Sequence, residues 1–116
     1  VNTLDDVSDS TWSLVHSGME RVVSNSSTFR GYDLSMAGKT GTAQQSSVHP
    51  DHGLFVGYAP TDSPQIAIAT RIAYGYSSSY AAEVSRDLAR IYFDPDLKDE
   101  LITGHAAGLG AATAGD

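Results

Sequence analysis

The chain has no cysteine, few basic residues and no long apolar run, and each absence excludes a class of protein. Without cysteine, the 116 residues hold no disulfide framework, no thiolate metal site and no cysteine nucleophile. Seven Lys and Arg residues stand against 14 Asp and Glu, which gives a formal net charge of -7. The basic residues are scattered, so we expect no nucleic-acid partner. No apolar run approaches the roughly 20 residues that a membrane-spanning helix needs.

The pattern of apolar residues predicts an α+β fold, with two helices flanking a three-stranded sheet. Apolar residues at helical spacing predict one helix over residues 11–24, capped by Asp9 or Ser10, and another that Ser79 caps and Asp94 ends. The second helix carries an apolar stripe of Ala81, Val84, Leu88, Ile91 and Tyr92. Strand-like runs lie at residues 34–44, 53–59 and 65–74. The connections between these strands are short, which predicts an antiparallel sheet.

The domain organisation follows from the same pattern. Residues 1–94 are assigned to the folded part, and the Gly- and Ala-rich residues 95–116 to a C-terminal tail. Neither face of the predicted sheet is strongly polar, so both faces should be covered. Since only two helices are present, we expect the cover to be incomplete and the exposed surface to favour self-association.

Lys39, Thr40, Gly41 and Thr42 form the most informative run, because they place a charge and a glycine inside an otherwise apolar strand. A solvent-facing lysine on an edge strand is the alternative for Lys39 alone. However, a glycine inside a strand often marks the close approach of a ligand. A lysine beside threonine hydroxyls suits a carboxylate, and alternation splits the run between both faces. We therefore predict an edge strand that binds a peptide-like substrate along its free side.

Two longer strings carry a resemblance to a known family. Residues 37–44 read Ala-Gly-Lys-Thr-Gly-Thr-Ala-Gln, and residues 52–60 read His-Gly-Leu-Phe-Val-Gly-Tyr-Ala-Pro. Lys-Thr-Gly is a signature of penicillin-binding proteins and class A β-lactamases. In both strings the chain resembles class B penicillin-binding proteins, and the likeness extends to about Phe93. It implies a fragment of the penicillin-binding/β-lactamase transpeptidase fold that covers less than half of the family's catalytic domain.

The resemblance implies acyl transfer on peptidoglycan stem peptides through a serine acyl-enzyme, with β-lactams as mimics of the substrate. In that scheme Lys39 is the catalytic residue present here, since it supplies positive potential and helps to move a proton. Thr40 and Thr42 bind the substrate carboxylate, the Thr42 N–H contributes to the oxyanion hole, and Gly41 leaves room for the substrate. No cofactor is implied.

The family's other two signatures, Ser-x-x-Lys and Ser-x-Asn, are absent from the sequence. We therefore expect a fragment that supplies the substrate-binding strand without the nucleophile, is inactive alone, and needs the missing N-terminal half as its partner. The resemblance also implies the bacterial cell envelope, at the extracytoplasmic face of the cytoplasmic membrane, with an anchoring segment outside this chain.

Other assignments remain open at this stage. A β-lactam sensor domain and a class D β-lactamase share the fold and the Lys-Thr-Gly strand, and a non-catalytic module could use the same strand edge for binding. Four histidines, His16, His49, His52 and His105, do not have the spacing of metal ligands, so no metal site is predicted.

Overall fold

Three helices and one antiparallel sheet make up residues 4–102, the part of the chain that the computed structural model describes. The strands β1, β2 and β3 lie side by side in that order, each antiparallel to its neighbour, which confirms the predicted α+β class. None of the helices in this part of the chain has the length and apolar character needed to cross a bilayer. The elements are α1 (Asp9–Ser24), β1 (Ala37–Ala43), β2 (His52–Ala59), β3 (Ile66–Ile72), α2 (Ser78–Phe93) and α3 (Lys98–Leu101), with 3-10 turns at Ser27–Phe29 and Pro95–Leu97.

Both predicted helix caps were wrong by one or two positions. Ser8, not Asp9 or Ser10, caps α1, and its hydroxyl accepts the Thr11 N–H at 3.3 Å. Ser77, not Ser79, caps α2 and accepts the Ser79 N–H at 3.2 Å. Each helix begins in a cluster of residues that can all serve as caps, so composition alone does not select among them.

The strands β1 and β3 are shorter than predicted, for local reasons. The β1–β2 register pairs Ala37 with Tyr58, so a longer β1 would place Ser35 opposite Pro60, which has no N–H to donate. At the other end of the sheet, β3 ends before Tyr74, whose φ of 55° is incompatible with a strand. Only β2 begins earlier than predicted, at His52.

Phe55 is the centre of the core on the face of the sheet that α2 covers. Its side chain is 1 % exposed, and its ring lies 5.8 Å from that of Phe29. Gly57 makes room for this ring, because a Cβ there would lie 2.8 Å from a ring carbon and 2.6 Å from the Ala37 carbonyl oxygen. A hydrogen bond of 2.7 Å between the hydroxyls of Thr70 and Ser85 ties β3 to α2.

The large residues Val84, Leu88 and Tyr92 of the apolar stripe predicted for α2 are exposed, whereas Ala81 of the same stripe is buried in the core. The residues it buries are Ala81, Ala82, Ser85, Arg86 and Ala89. From the stripe, Val84 is 43 % exposed, Leu88 49 % and Tyr92 57 %. Phe55 and the isoleucines of β3 already fill this face of the sheet, so only small residues let the helix backbone approach.

The other face of the sheet is covered in part by α1. His16 of α1 packs edge-on against Tyr58, with ring centroids 5.5 Å apart. Beside it Val56 remains 50 % exposed, and Ala67, Ala69 and Arg71 of β3 are exposed as well. The incomplete cover that two helices predict is therefore observed.

The predicted tail is not uniformly without structure. The Asp94 carboxylate accepts the Asp96 N–H at 3.2 Å and caps a 3-10 turn that continues into α3. Residues 103–116, which include His105 and most of the Gly- and Ala-rich segment, lie outside the described residues. The domain boundary at residue 94 stays a prediction.

Candidate functional site

The strand that carries Lys39 to Thr42 lies at an edge of the sheet. Within residues 4–102, β1 pairs with β2 on one side and with no strand on the other. The predicted edge position is thereby confirmed. A free strand edge presents backbone N–H and C=O groups to which an extended peptide can add.

Side chains of this run divide between the two faces, as the alternation predicts. Thr40 and Thr42 pair with Phe55 and Gly53, and so lie on the face that α2 covers. Lys39 and Gly41 pair with Val56 and Leu54 on the more open face. A ligand that lies along the edge of β1 can therefore meet both the ammonium group and the hydroxyls.

Lys39 keeps its charge available for an anion. Its side chain is exposed, and its ammonium group donates to the Thr40 carbonyl at 2.7 Å. The ion pairs found in residues 4–102 both involve Arg86, so no carboxylate of that segment neutralises Lys39. A positive charge on the same strand edge as threonine hydroxyls suits a carboxylate ligand.

Gly41 is not required by the packing of the sheet. A Cβ at this position would lie 3.4 Å from the Leu54 Cβ, which is an ordinary contact. By contrast, a Cβ at Gly53 would lie 2.5 Å from the Ser77 carbonyl oxygen. Packing within the sheet therefore does not account for the absence of a side chain at Gly41.

A hydrogen-bonded histidine, His52, pairs with the last residue of this strand. His52 is 5 % exposed, and its Nε2 lies 2.6 Å from the Gln45 Oε1 and 3.1 Å from Arg71 Nη2. Its Nδ1 accepts the backbone N–H of Tyr74 at 3.0 Å. Sequence reasoning missed this arrangement, because it judged His52 only as a metal ligand and its partners are seven to 22 positions away.

Two of the described histidines pack against the same tyrosine ring. His49 and His52 each pack against the Tyr74 ring, at 5.0 Å between ring centroids. Among residues 4–102, no three side chains of the types that bind metals come together.

Comparison with known families matches the chain over most of its length. The family model described as the penicillin-binding protein transpeptidase domain matches residues 3–90. The chain belongs to the penicillin-binding protein transpeptidase family. It is 33 % identical to the peptidoglycan D,D-transpeptidase MrdA of Acinetobacter baumannii, over 92 % of this chain and 18 % of that protein. It is 30 % identical to penicillin-binding protein 2B of Streptococcus pneumoniae, over 75 % of this chain and 15 % of that protein.

Solved structures of penicillin-binding proteins superpose on the fold of this chain. PBP2 of Pseudomonas aeruginosa, in complex with WCK 5153, is 36 % identical and superposes with a TM-score of 0.65 over 79 % of this chain and 21 % of that one. The imipenem acyl-enzyme complex of penicillin-binding protein A from M. tuberculosis, at 23 % identity, gives a TM-score of 0.66 over 75 % of this chain and 20 % of that one and shows the fold alone.

Together these comparisons confirm the predicted class B penicillin-binding protein and the predicted fold. The chain spans about a fifth of the length of the relatives it matches. It corresponds to part of a transpeptidase domain, and within residues 4–102 the strand with Lys39 to Thr42 has one unpaired edge.

Proposed function

We propose that this chain forms the substrate-binding edge of a peptidoglycan D,D-transpeptidase that cross-links stem peptides and is acylated by β-lactams. The observation that carries this proposal is the run from Lys39 to Thr42, which lies on a free strand edge and has its lysine exposed and outside any ion pair of residues 4–102. Membership of a family of penicillin-binding transpeptidases supplies the reaction class.

In the proposed reaction, a serine oxygen attacks the carbonyl that joins the two terminal D-alanines of one stem peptide. The terminal D-alanine leaves, and the amine of a second stem peptide then takes the acyl group from the serine. The nucleophile must come from outside this chain, because no Ser-x-x-Lys occurs in its sequence. A β-lactam acylates the same serine when its ring opens, and the 116 residues alone are inactive.

Each residue of the run has a role that its position supports. Lys39 is the catalytic residue of this chain, since its ammonium raises the positive potential of the groove and helps to move a proton. Thr40 and Thr42 donate hydrogen bonds from their hydroxyls to the terminal carboxylate of the substrate. The Thr42 N–H stabilises the developing oxyanion, and Gly41 lets the substrate backbone approach the strand.

The rest of the transpeptidase domain is the proposed partner of the incompletely covered surfaces. These are the open face around Val56 and the outward stripe of α2 around Leu88, which are 50 % and 49 % exposed. Contiguous apolar surface of this kind marks an interaction site. Without that partner, we expect the chain to self-associate through the exposed face or the free strand edge.

The proposed location follows from the substrate. Peptidoglycan stem peptides are cross-linked in the bacterial cell envelope, so the groove must face the extracytoplasmic side of the cytoplasmic membrane. An anchoring segment outside this chain would hold the enzyme there.

The family match favours a transpeptidase over a β-lactam sensor domain, a class D β-lactamase or a non-catalytic module. In a full-length protein that carries this chain, the rate of deacylation separates a transpeptidase from a β-lactamase, and acylation itself separates either of them from a non-catalytic module. A transpeptidase or a sensor releases bound penicillin slowly, a β-lactamase turns it over, and a module is not acylated.

Substitution of Thr42 in such a full-length protein tests the proposal. Thr42→Val keeps the shape and removes the hydroxyl, so the second-order rate of acylation by a carboxylate-bearing penicillin should fall about ten- to a hundredfold. Thr42→Ser, which restores the hydroxyl, is the matched control and should recover most of the rate. Lys39→Ala removes a charge and should cost more than Thr42→Val. Unchanged acylation in Thr42→Val would remove Thr42 from the carboxylate site.

A further inference from the structure

We propose that His52 is a positioning residue for the substrate-binding strand, because it ties the end of β1 to the turn that precedes α2. The proposal rests on the proposed function, since it concerns how the Lys39–Thr42 run keeps its orientation. The contacts involved are made by residues outside the run from Lys39 to Thr42.

The pairing of β1 with the rest of the sheet ends at His52. Ala43, the last residue of β1, pairs with His52, the first residue of β2, so the backbone ladder ends at this pair. The other side of β1 is free among the described residues. Gln45 lies two positions past the ladder and three past Thr42, and its side-chain oxygen lies 2.6 Å from His52 Nε2. This hydrogen bond therefore lies beyond the last backbone pair of the strand that carries Thr42, and it connects the end of that strand to β2.

The hydrogen-bond partners of His52 determine where its proton lies. Nδ1 accepts the Tyr74 N–H, so the proton of the neutral ring is on Nε2. Nε2 then donates to the Gln45 oxygen. Arg71 Nη2, 3.1 Å from Nε2, is itself only a donor, so that contact is not a hydrogen bond. Among the described residues, the His52 side chain therefore reaches the segment that follows β1 through Gln45.

The other ring nitrogen of His52, Nδ1, accepts a hydrogen bond from a turn with an uncommon backbone conformation. Tyr74 has a φ of 55° and Tyr76 a φ of 61°, both in the left-handed region that side chains other than glycine rarely adopt. Such residues persist when their surroundings over-determine them. The His52 Nδ1 accepts the N–H of Tyr74, and Tyr76 donates its own N–H to the Asp51 carbonyl at 3.1 Å. One buried ring thus aligns the end of β1 with the turn before α2.

Adjacent glutamines give a matched pair of variants in a full-length protein that carries this chain. Gln45→Met removes the acceptor and keeps the length of the side chain, whereas Gln44, also exposed, forms no side-chain hydrogen bond within residues 4–102. We expect Gln45→Met to lower the second-order rate of acylation by a fluorescent penicillin about three- to tenfold, the range of one neutral hydrogen bond. Gln44→Met should stay within about twofold of the unaltered protein, since it removes no bond.

Two variants of His52 separate the roles of its two ring nitrogens. His52→Gln keeps a donor near the position of Nε2, and His52→Asn keeps an acceptor near the position of Nδ1. We expect His52→Gln to retain the faster acylation, although both lose thermal stability. In His52→Asn, adding Gln45→Met should cause little further loss, because the bond between them is already absent.

A purely structural role would slow every acylation alike. If His52 positions Thr42, the loss in Gln45→Met should be large for the penicillin and small for its methyl ester, which lacks the carboxylate. Amide hydrogen exchange at residues 42–45 should also become faster in Gln45→Met but not in Gln44→Met. Equal acylation rates in the two glutamine variants, equal losses for penicillin and ester, or unchanged exchange would overturn the proposal. Failure of the unaltered protein to be acylated would overturn the proposed function instead, and hydrogen exchange would still test the tie.

Discussion

The two faces of the sheet differ in how completely they are packed. Phe55, on the face that α2 covers, is 1 % exposed, whereas its neighbour Val56 on the opposite face is 50 % exposed. The packed face holds the core of the fold. The open face carries Lys39, next to the free edge of β1. The comparison teaches that this chain packs a core on one face of its sheet and leaves a charged strand edge and an apolar surface exposed.

The largest effect should come from the packed face. Phe55→Ala removes a fully buried ring, so it should lower the free energy of unfolding by about 3–5 kcal/mol. Val56→Ala removes a half-exposed side chain and should cost about 1 kcal/mol or less. Urea denaturation of both variants measures the difference. Equal losses would mean that the two faces are packed alike.

A glycine on the packed face and a glycine on the open face should also respond differently to substitution by alanine. Gly57→Ala forces a Cβ against Phe55 and the Ala37 carbonyl, so it should cost about 1–3 kcal/mol of stability. Gly41→Ala has room in the sheet and should leave the thermal midpoint within a few degrees. We nevertheless expect Gly41→Ala to slow penicillin acylation of the full-length protein at least about tenfold, if substrate needs that space. Acylation at the unaltered rate would show that Gly41 is not part of the groove.

The smallest effect concerns Tyr58, on the open face. Its hydroxyl is buried and has no hydrogen-bond partner among the described residues, so Tyr58→Phe should change the free energy of unfolding by no more than about 1 kcal/mol near neutral pH. Burial, and to a smaller extent the charge of Glu20, raise the pKa of Tyr58. As the pH rises past about 10, the unfolded chain therefore releases this proton before the folded chain does. The free energy of unfolding falls as the pH rises further, through the pKa of Tyr58 in the folded state.

Tyr58→Phe should not show this particular loss of stability. Denaturation of both proteins at neutral and at alkaline pH, with Tyr80→Phe as an exposed control, measures it. A large destabilisation by Tyr58→Phe at neutral pH would show that the hydroxyl has a partner.

The site was predictable from sequence where its chemistry is local, and not where it depends on distant partners. Lys39, Gly41 and the threonines are consecutive, so alternation along one strand predicted their faces and the edge position. The outward stripe of α2 could not be predicted, because spacing shows that a helix has two sides and not which side the sheet has room for. The hydrogen bonds from His52 to Gln45 and Tyr74 could not be predicted either, because they depend on the register of β1 with β2 and on a turn with positive φ.

Penicillin labelling tests the central claim most directly. The claim is that these residues supply the substrate-binding edge of a transpeptidase and not its nucleophile. Intact-mass spectrometry after incubation with penicillin should show no adduct on the isolated 116 residues. A full-length protein that carries them should gain one adduct, at a serine outside this chain. A stoichiometric adduct on the isolated chain would contradict the account, because it would place the nucleophile within these residues.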